Sequence, residues 1–413
     1  MGNTKVRHNL ILVLIPIPLF FQMLFERVIF GNSDSPFYIE DTAAIIAQDI
    51  DKLQIFESLI CPNIRSYCRK FFSEDQHGFL EARSTVTNLI LFENALVEAL
   101  DKNTQVNVVY TDFSKAFDKV LHCALLKKLS LYGFSGSMLN WFRSYLTNLY
   151  FYVIANGFES DKFIITSGVL QGSHLGPILF NLFLNDLSRC FKNTSDLLYA
   201  DDLKLLRDIN VRTDAHLLQK DLDNLKKWCD KNGMQINPSK CSQITFTRKS
   251  QPILTQYLIG CLELEEKDSV RDLGAIFDKK MSFVPHIYDT VKRASRMLGF
   301  IIRNGRAFRR PEIRITLYFS IVRSLLEYAS VVWRPHYAIH MLRIERIQKR
   351  FMWHLTCSQR LTNQLKSYNE RLKVPKIGLR ITNEDQCKYW SGRLHHVWAS
   401  LRLYKKEYGA LDA

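Results

Sequence analysis

The sequence predicts an α+β fold, in which helices and antiparallel strands alternate irregularly. Some segments place apolar residues at helical spacing, beginning with 84–100, and others are short β-branched runs such as 107–112. Two apolar arms flank the acidic pair Asp201-Asp202, a pattern typical of a β-hairpin with carboxylates at its tip. The repeated strand-helix-strand rhythm of a parallel sheet is missing, which favours α+β over α/β.

Caps and stops support each predicted element in chain order. Ser84 and Thr85 are suitable caps for the first helix, and Gly133 follows the second helical pattern. Pro177 stands where a first-turn proline starts a helix, and Gly233 ends an amphipathic one. The predicted elements are helix 84–100, strand 107–112, helix 124–132, short strands 151–154 and 163–166 around Asn156-Gly157, a glycine-punctuated loop 168–176, helix 178–187, hairpin 197–206, and a helix through 218–228; beyond about 289 the pattern is mostly helical.

Charge indicates a polyanionic partner. The chain of 413 residues carries 56 Lys and Arg against 41 Asp and Glu, a formal net charge of +15. Much of the excess lies in 291–350, where fourteen Lys and Arg face only Glu312, Glu327 and Glu345. Such residues are ordinarily solvated helix faces, but the shortage of matching acids favours phosphate binding. Nucleic acid is therefore the leading partner, ahead of an anionic membrane surface.

The cysteines favour an intracellular chain, and the sequence carries no signal that decides between nucleus and cytoplasm. Nine cysteines are scattered without a C-x-x-C pair, which favours free thiols in a reducing compartment over a zinc site. The apolar run 10–25 is shorter than the roughly 20 residues that span a bilayer. Pro16, Pro18 and Gln22 also interrupt it. We therefore expect a buried or diverged leading segment and no membrane partner.

Three aspartates are the candidates for chemistry. Asp112 ends a predicted strand, and Asp201 with Asp202 occupies the hairpin tip, so neighbouring strands could bring all three to one sheet edge. Carboxylates bind Mg²⁺, and such a cluster repels itself unless cations neutralise it. Taken alone, an aspartate at a strand end is more often a cap, and an aspartate pair more often faces solvent.

Three blocks around these aspartates resemble the reverse transcriptases of non-LTR retrotransposons, particularly the jockey-like group. The blocks are 109–118 (VYTDFSKAFD), 167–180 (SGVLQGSHLGPILF) and 199–202 (YADD). Supporting similarity lies in 76–79 (QHGF), 237–240 (NPSK), 270–274 (VRDLG) and 324–328 (SLLEY). The resemblance covers about 56–350 and implies a right-hand polymerase with fingers, an α+β palm and a helical thumb.

The resemblance also implies roles for single residues. Asp112, Asp201 and Asp202 would hold two Mg²⁺ ions, or Mn²⁺, for phosphoryl transfer. Phe117 would be the bulky gate that excludes a ribose 2′-hydroxyl, a role compatible with an ordinary core aromatic. Gln171 and Gly172 would line the nucleotide pocket, although the glycines of that loop can equally serve a turn.

Two cationic residues receive weaker assignments. By resemblance Arg83 would meet the triphosphate, while a lone arginine before a helix is more often a surface charge. Lys240 would protonate the departing pyrophosphate, while a lysine after Asn-Pro-Ser is ordinarily solvated.

The implied organisation has four portions: a diverged segment 1–55, fingers and palm 56–250, a primer-grip-like connection 251–290, and a basic helical thumb with C-terminal extension 291–413. The implied partners are an RNA template, a DNA primer and deoxynucleoside triphosphates. An endonuclease, which these elements usually carry ahead of the polymerase, would have to be supplied separately.

Departures from the family pattern keep a second hypothesis open. The Tyr-Arg-Pro segment usual before 56 is missing, Glu81-Ala82 replaces a more basic stretch, and Leu170 replaces a common proline. The alternative is a decayed copy that only binds RNA or DNA. A metal-dependent nuclease or other phosphotransferase is a third hypothesis, which the Gln171-Gly172 loop between the acidic blocks disfavours.

Overall fold

The computed structural model describes residues 10–14, 16–17, 45–46, 50–147, 149–155, 158–305, 308, 310–335 and 337–357. The strands are β1 Leu10–Leu14, β2 Pro16–Ile17, β3 Ile45–Ile46, β4 Gln105–Thr111, β5 Leu149–Ala155, β6 Phe158–Glu159, β7 Phe163–Ile165, β8 Ser195–Tyr199, β9 Asp202–Ile209, β10 Ser242–Phe246, β11 Leu258–Ile259, β12 Leu262–Glu263, β13 Glu265–Glu266, β14 Ser269–Asp272 and β15 Ala275–Asp278. The helices are α1 Ile50–Cys68, α2 Thr85–Asp101, α3 His122–Leu131, α4 Gly136–Leu146, α5 Gly176–Leu184, α6 Arg212–Asn232, α7 Val284–Asn304, α8 Pro311–Leu317, α9 Ser324–Glu327, α10 Ser330–Trp333 and α11 Ala338–Cys357, with a π-helical stretch Tyr318–Arg323 between α8 and α9.

A five-stranded sheet in the order β13-β10-β4-β9-β8 forms the centre of the fold. Its pairs are antiparallel except β10 with β13 at the edge, which is parallel. The predicted hairpin is present as β8 and β9, and Tyr199 pairs with Asp202 across its turn. Sequence pattern indicated only antiparallel strands, because the two-residue β13 is too short to carry a periodic signal.

Hydrophobic cores cover both faces of this sheet. Along β4, Val108 contributes to one core and Val109 to the other, as the two-residue period of a strand requires. The core on the Val109 side packs residues of α1 and α3 to α6. The core on the Val108 side packs α2 and the helices that follow β15. With both faces covered, only the ends of the strands remain free to form a site.

The helices after β15 form a basic layer against the second core. Along α11, Ile344, Ile347, Phe351 and Leu355 are buried at intervals that keep one face inward. Tyr328 attaches this layer to the separate β14–β15 hairpin, because its hydroxyl donates to the carbonyl of Leu273 in the turn of that hairpin, 2.6 Å away. The helical C-terminal pattern is confirmed as far as residue 357.

The α+β prediction is confirmed, with elements close to their expected bounds. The helix expected at 178–187 runs from Gly176 to Leu184, and the strand expected at 163–166 ends at Ile165. Asn156-Gly157 and most of the apolar run 10–25 lie outside the described residues, as does 358–413. The four portions of the chain stay a prediction.

No helix in the described part of the chain is both long and apolar enough to cross a membrane.

Candidate active site

Three aspartates meet at one end of the central sheet. Asp112 directly follows β4, Asp201 lies in the turn after β8, and Asp202 is the first residue of β9. Because β4 pairs with β9 in a register that sets Thr111 opposite Leu203, the strand ends lie side by side. The prediction that neighbouring strands bring the three acids to one edge is therefore confirmed.

Burial and repulsion between the carboxylates both raise the pKa values of Asp201 and Asp202. Desolvation, followed by the charges of Asp201 and Asp112, raises the pKa of Asp202 to about 6. Desolvation, followed by the charge of Asp112, also raises the pKa of Asp201. A site of this kind is stabilised by a positive charge placed among the carboxylates.

A lysine supplies one such charge. Nζ of Lys240 lies 2.7 Å from Oδ2 of Asp112, and contact with that carboxylate raises the pKa of Lys240. The Lys240 side chain is 63% exposed, so it can move without opening the core. Its segment is tied to the end of β4, because the backbone N–H of Asn237 donates to the Asp112 carbonyl at 2.8 Å.

The donor set suits a divalent cation, although its ligands are not in a closed arrangement. Carboxylate oxygens are hard ligands of the kind that Mg²⁺ prefers, and buried Oδ2 of Asp112 accepts no hydrogen bond of regular geometry. Within the described ranges, no group of three or more His, Cys, Asp or Glu side chains is arranged to hold a metal ion. In the structure the cationic group beside Asp112 is the ammonium of Lys240.

The turn that carries Asp201 is clamped from the 76–79 segment. Oε1 of Gln76 accepts from the backbone N–H of Ala200 at 2.9 Å and from that of Gly78 at 2.7 Å. Ala200 has a φ of +56°, as the first central residue of a tight hairpin turn commonly has. A Cβ at Gly78 would lie 2.2 Å from the Ala200 nitrogen, so only glycine allows this approach.

The expected gate residue lies in a series of aromatic rings. Phe117 stacks on Phe180 with ring centroids 4.2 Å apart, and Phe79 meets it edge-on at 6.0 Å. Phe117 is partly buried, and its backbone carbonyl accepts from Val169 at the start of the glycine-punctuated loop. This links the gate position to the block 167–180.

The other expected pocket residues lie along the same loop. Nε2 of Gln171 donates to Oδ1 of Asp118 at 3.0 Å, and this pair is exposed. Gly172 has a φ of +90°, and a Cβ there would meet no atom of the described chain within 4 Å. The Arg83 guanidinium instead donates to the carbonyls of Ser73 and Gln76, where it braces the segment that clamps the turn.

A buried carboxylate that sequence pattern did not single out supports this loop. Glu57 on α1 is fully buried, and its Oε2 accepts from the backbone N–H of His174 at 2.6 Å. Its Oε1 accepts from the hydroxyl of Tyr145 on α4. A glutamate inside an amphipathic helix carries no local signal for such a contact, because its partners lie 88 and 117 residues away.

A cleft of about 440 Å³ opens beside the aspartates. Its walls come from the ends of β4 and β9, from the Lys240 segment, and from β14 with the residues before it. Asp112 and Asp202 line one part, and Lys240, Lys267 and Arg271 line others. The cleft therefore places carboxylates that could bind metal ions next to Lys and Arg side chains that could bind phosphates.

Residues 46–302 match the family model described as reverse transcriptase (RNA-dependent DNA polymerase). The probable RNA-directed DNA polymerase from transposon BS of Drosophila melanogaster is 27% identical over 73% of this chain and 35% of its own length. The RNA-directed DNA polymerase from mobile element jockey of Drosophila funebris is 29% identical over 74% of this chain and 34% of its own length. The chain thus spans about a third of the length of these curated relatives.

Solved structures of telomerase also align with the chain. Apo telomerase from Candida tropicalis aligns with a TM-score of 0.41 and 11% identity, over 78% of this chain and 61% of that one. Telomerase from Candida albicans with a fragment of telomeric RNA aligns with a TM-score of 0.38 and 13% identity, over 78% and 58%.

Proposed function

Because the chain belongs to the reverse transcriptase (RNA-dependent DNA polymerase) family, we propose that it is the polymerase of a non-LTR retrotransposon. It would add deoxynucleotides to a primer 3′-hydroxyl, templated by RNA. The observation that carries this proposal is the meeting of Asp112, Asp201 and Asp202 at one end of the central sheet, beside a cleft lined with cations. Family membership accords with the right-hand arrangement that the sequence resemblance implies.

Asp112, Asp201 and Asp202 would hold two Mg²⁺ ions, or Mn²⁺. Bound divalent ions would neutralise the triphosphate and lower the pKa of the attacking hydroxyl. The raised pKa values of Asp201 and Asp202 support this assignment, since burial and the neighbouring carboxylates disfavour their ionisation and a bound cation would offset both effects.

Lys240 would act at the leaving group. It pairs with Asp112, and its exposed side chain can turn towards a triphosphate bound at the aspartates. There its ammonium would neutralise and protonate the departing pyrophosphate.

The pocket for the nucleotide would lie between the acids and the aromatic series. Phe117 would crowd a ribose 2′-hydroxyl, and Gln171 with Gly172 would border the base and sugar, with open space above the glycine. Arg83 would serve this pocket indirectly, because its guanidinium braces the carbonyls of Ser73 and Gln76. Arg83 would have to leave these two carbonyls to meet a triphosphate.

The primer–template duplex would lie against the basic helical layer, which contacts phosphates without reading sequence. Exposed cations there are Lys292, Arg296, Arg303, Arg310, Arg334, Arg346, Lys349 and Arg350. Arg314 and Arg323 are buried, and Arg323 pairs with Glu327, so these two serve the fold.

Primer extension on poly(rA)–oligo(dT) with Mg²⁺ and dTTP tests the proposal. We expect the parent chain to extend the primer and an Asp201→Ala, Asp202→Ala double variant to extend it about a thousandfold more slowly. Asp161→Ala, which removes an exposed aspartate elsewhere, is the matched control and should extend normally. A folded parent that binds the duplex without extending it would identify the chain as a decayed copy that only binds nucleic acid.

A further inference from the structure

Packing accounts for only part of the Phe79 ring, which lies beside the active site. Phe79 is 48% exposed and has a φ of +59°, in the left-handed region that bulky side chains rarely adopt. A phenylalanine that served only the core would be buried, and turn positions at positive φ favour glycine, asparagine or aspartate. Strained backbone of this kind persists where the surrounding structure enforces it, often at functional sites.

The surrounding structure does enforce this conformation. The residue before Phe79 is fixed on both sides, because Gly78 donates its N–H to Gln76 at 2.7 Å and accepts from Nδ2 of Asn181 at 2.8 Å. The Gly78 backbone also lies directly against Ala200, next to Asp201. Phe79 is therefore held in a set position relative to the turn that carries the acids.

The ring continues an aromatic series from the core to the surface. Phe180 is fully buried, Phe117 is partly buried and stacks on it at 4.2 Å, and Phe79 meets Phe117 edge-on at 6.0 Å with an interplanar angle of 84°. The Phe117 contact uses one side of the Phe79 ring. About half of the residue's surface remains available to a ligand.

We propose that Phe79 binds a nucleobase at the insertion site. The inference rests on the proposed function, which puts the sugar of the incoming nucleotide against Phe117. A flat apolar ring one position beyond that sugar suits the face or edge of a base, and aromatic contacts of this type tolerate any base. The base belongs either to the template or to the incoming nucleotide, and the two sources give different results below.

The experiment measures binding of a chain-terminated template–primer, so it needs no catalysis. Equilibrium affinity is compared between a template with a base at the insertion position and one with an abasic nucleotide there. If Phe79 contacts the templating base, the parent should prefer the base by about tenfold. Phe79→Leu, which keeps an apolar side chain without an aromatic face, should bind both templates alike.

The second arm measures how tightly the matching deoxynucleoside triphosphate is trapped on the same terminated duplex. If Phe79 contacts the incoming base, Phe79→Leu should weaken trapping about tenfold and leave the template preference unchanged. Leu131→Ala is the control, because it removes an apolar side chain that is 86% exposed on α3. It should alter neither measurement.

The proposal is overturned if Phe79→Leu changes neither affinity, or if it lowers only the denaturation midpoint. Phe79→Gly gives a second variant that relieves the positive φ while removing the ring, so folding is preserved if Leu is not tolerated. A parent that binds duplex and nucleotide normally but does not extend primers contradicts the polymerase proposal alone. The two failures are therefore separable.

Discussion

A buried ion pair joins the active-site strand to the hairpin that faces it. Nζ of Lys204 on β9 lies 2.5 Å from Oδ2 of Asp272 at the end of β14, and the two side chains are 2% and 4% exposed. The Tyr110 hydroxyl adds a longer contact to the same carboxylate, 3.4 Å. Burial lowers the pKa of Lys204, and the Asp272 charge opposes that shift. Replacing Lys204 with methionine would keep the length of the side chain and remove its charge.

The expected cost follows from what the substitution leaves behind. Asp272 would remain in the interior with only the long Tyr110 contact, and breaking a buried pair in this way costs about 3–5 kcal/mol. Replacing both partners, as Lys204→Met with Asp272→Leu, leaves no buried charge and should recover most of that loss. The charge of Asp272 raises the pKa of Asp202 and that of Lys204 lowers it, so the double variant removes two opposing influences on Asp202.

Urea denaturation of the parent, both single variants and the double variant measures these free energies of unfolding. The coupling within the pair is obtained from the resulting double-mutant cycle. Lys226→Met, which breaks an exposed pair with Asp230 on α6, is the matched control and should have a much smaller effect. A free energy of unfolding for Lys204→Met within about 1 kcal/mol of the parent's would refute the reasoning, because an unpaired buried carboxylate should cost more than that.

Two further predictions concern the close backbone approach at Gly78 and the burial of Glu93. Gly78→Ala would place a Cβ 2.2 Å from the Ala200 nitrogen and displace the turn that carries Asp201. Primer extension should therefore slow at least about tenfold, while affinity for the primer–template duplex stays the same. Unchanged extension would show that catalysis tolerates displacement of the turn. Burial raises the pKa of Glu93 from 4.5 to about 7. Between these pH values the folded chain keeps a proton that the unfolded chain releases, so the free energy of unfolding should fall as pH rises. The expected fall is about 2 kcal/mol after allowing for partial exposure of the side chain. Glu93→Gln should remove that fall, as urea denaturation at pH 5 and pH 8 would measure; an equal fall in the variant would assign it to another group.

The elements nearest the chemistry were predictable because their signals are local. Two apolar arms a few residues apart predict the hairpin around Asp201, and a β-branched run that ends at Asp112 predicts the neighbouring strand. Strand periodicity and turn chemistry act over such short distances in the sequence, so both elements can be predicted from local residue patterns. The prediction that the acids share one edge needed only one further step, the pairing of β4 with β9.

The sequence by itself determined the family, the three neighbouring acids and the strands that carry them, since each depends on residue types at short spacing. Only the tertiary structure decided what surrounds these acids. Gln76 reaches a turn 124 residues away, Glu57 a loop 117 residues away, and Lys204 a hairpin 68 residues away. The exposure of Phe79 beside Phe117 belongs to the same class. Such contacts depend on how whole elements pack, because no periodic pattern within one segment specifies the atoms that another segment brings to it.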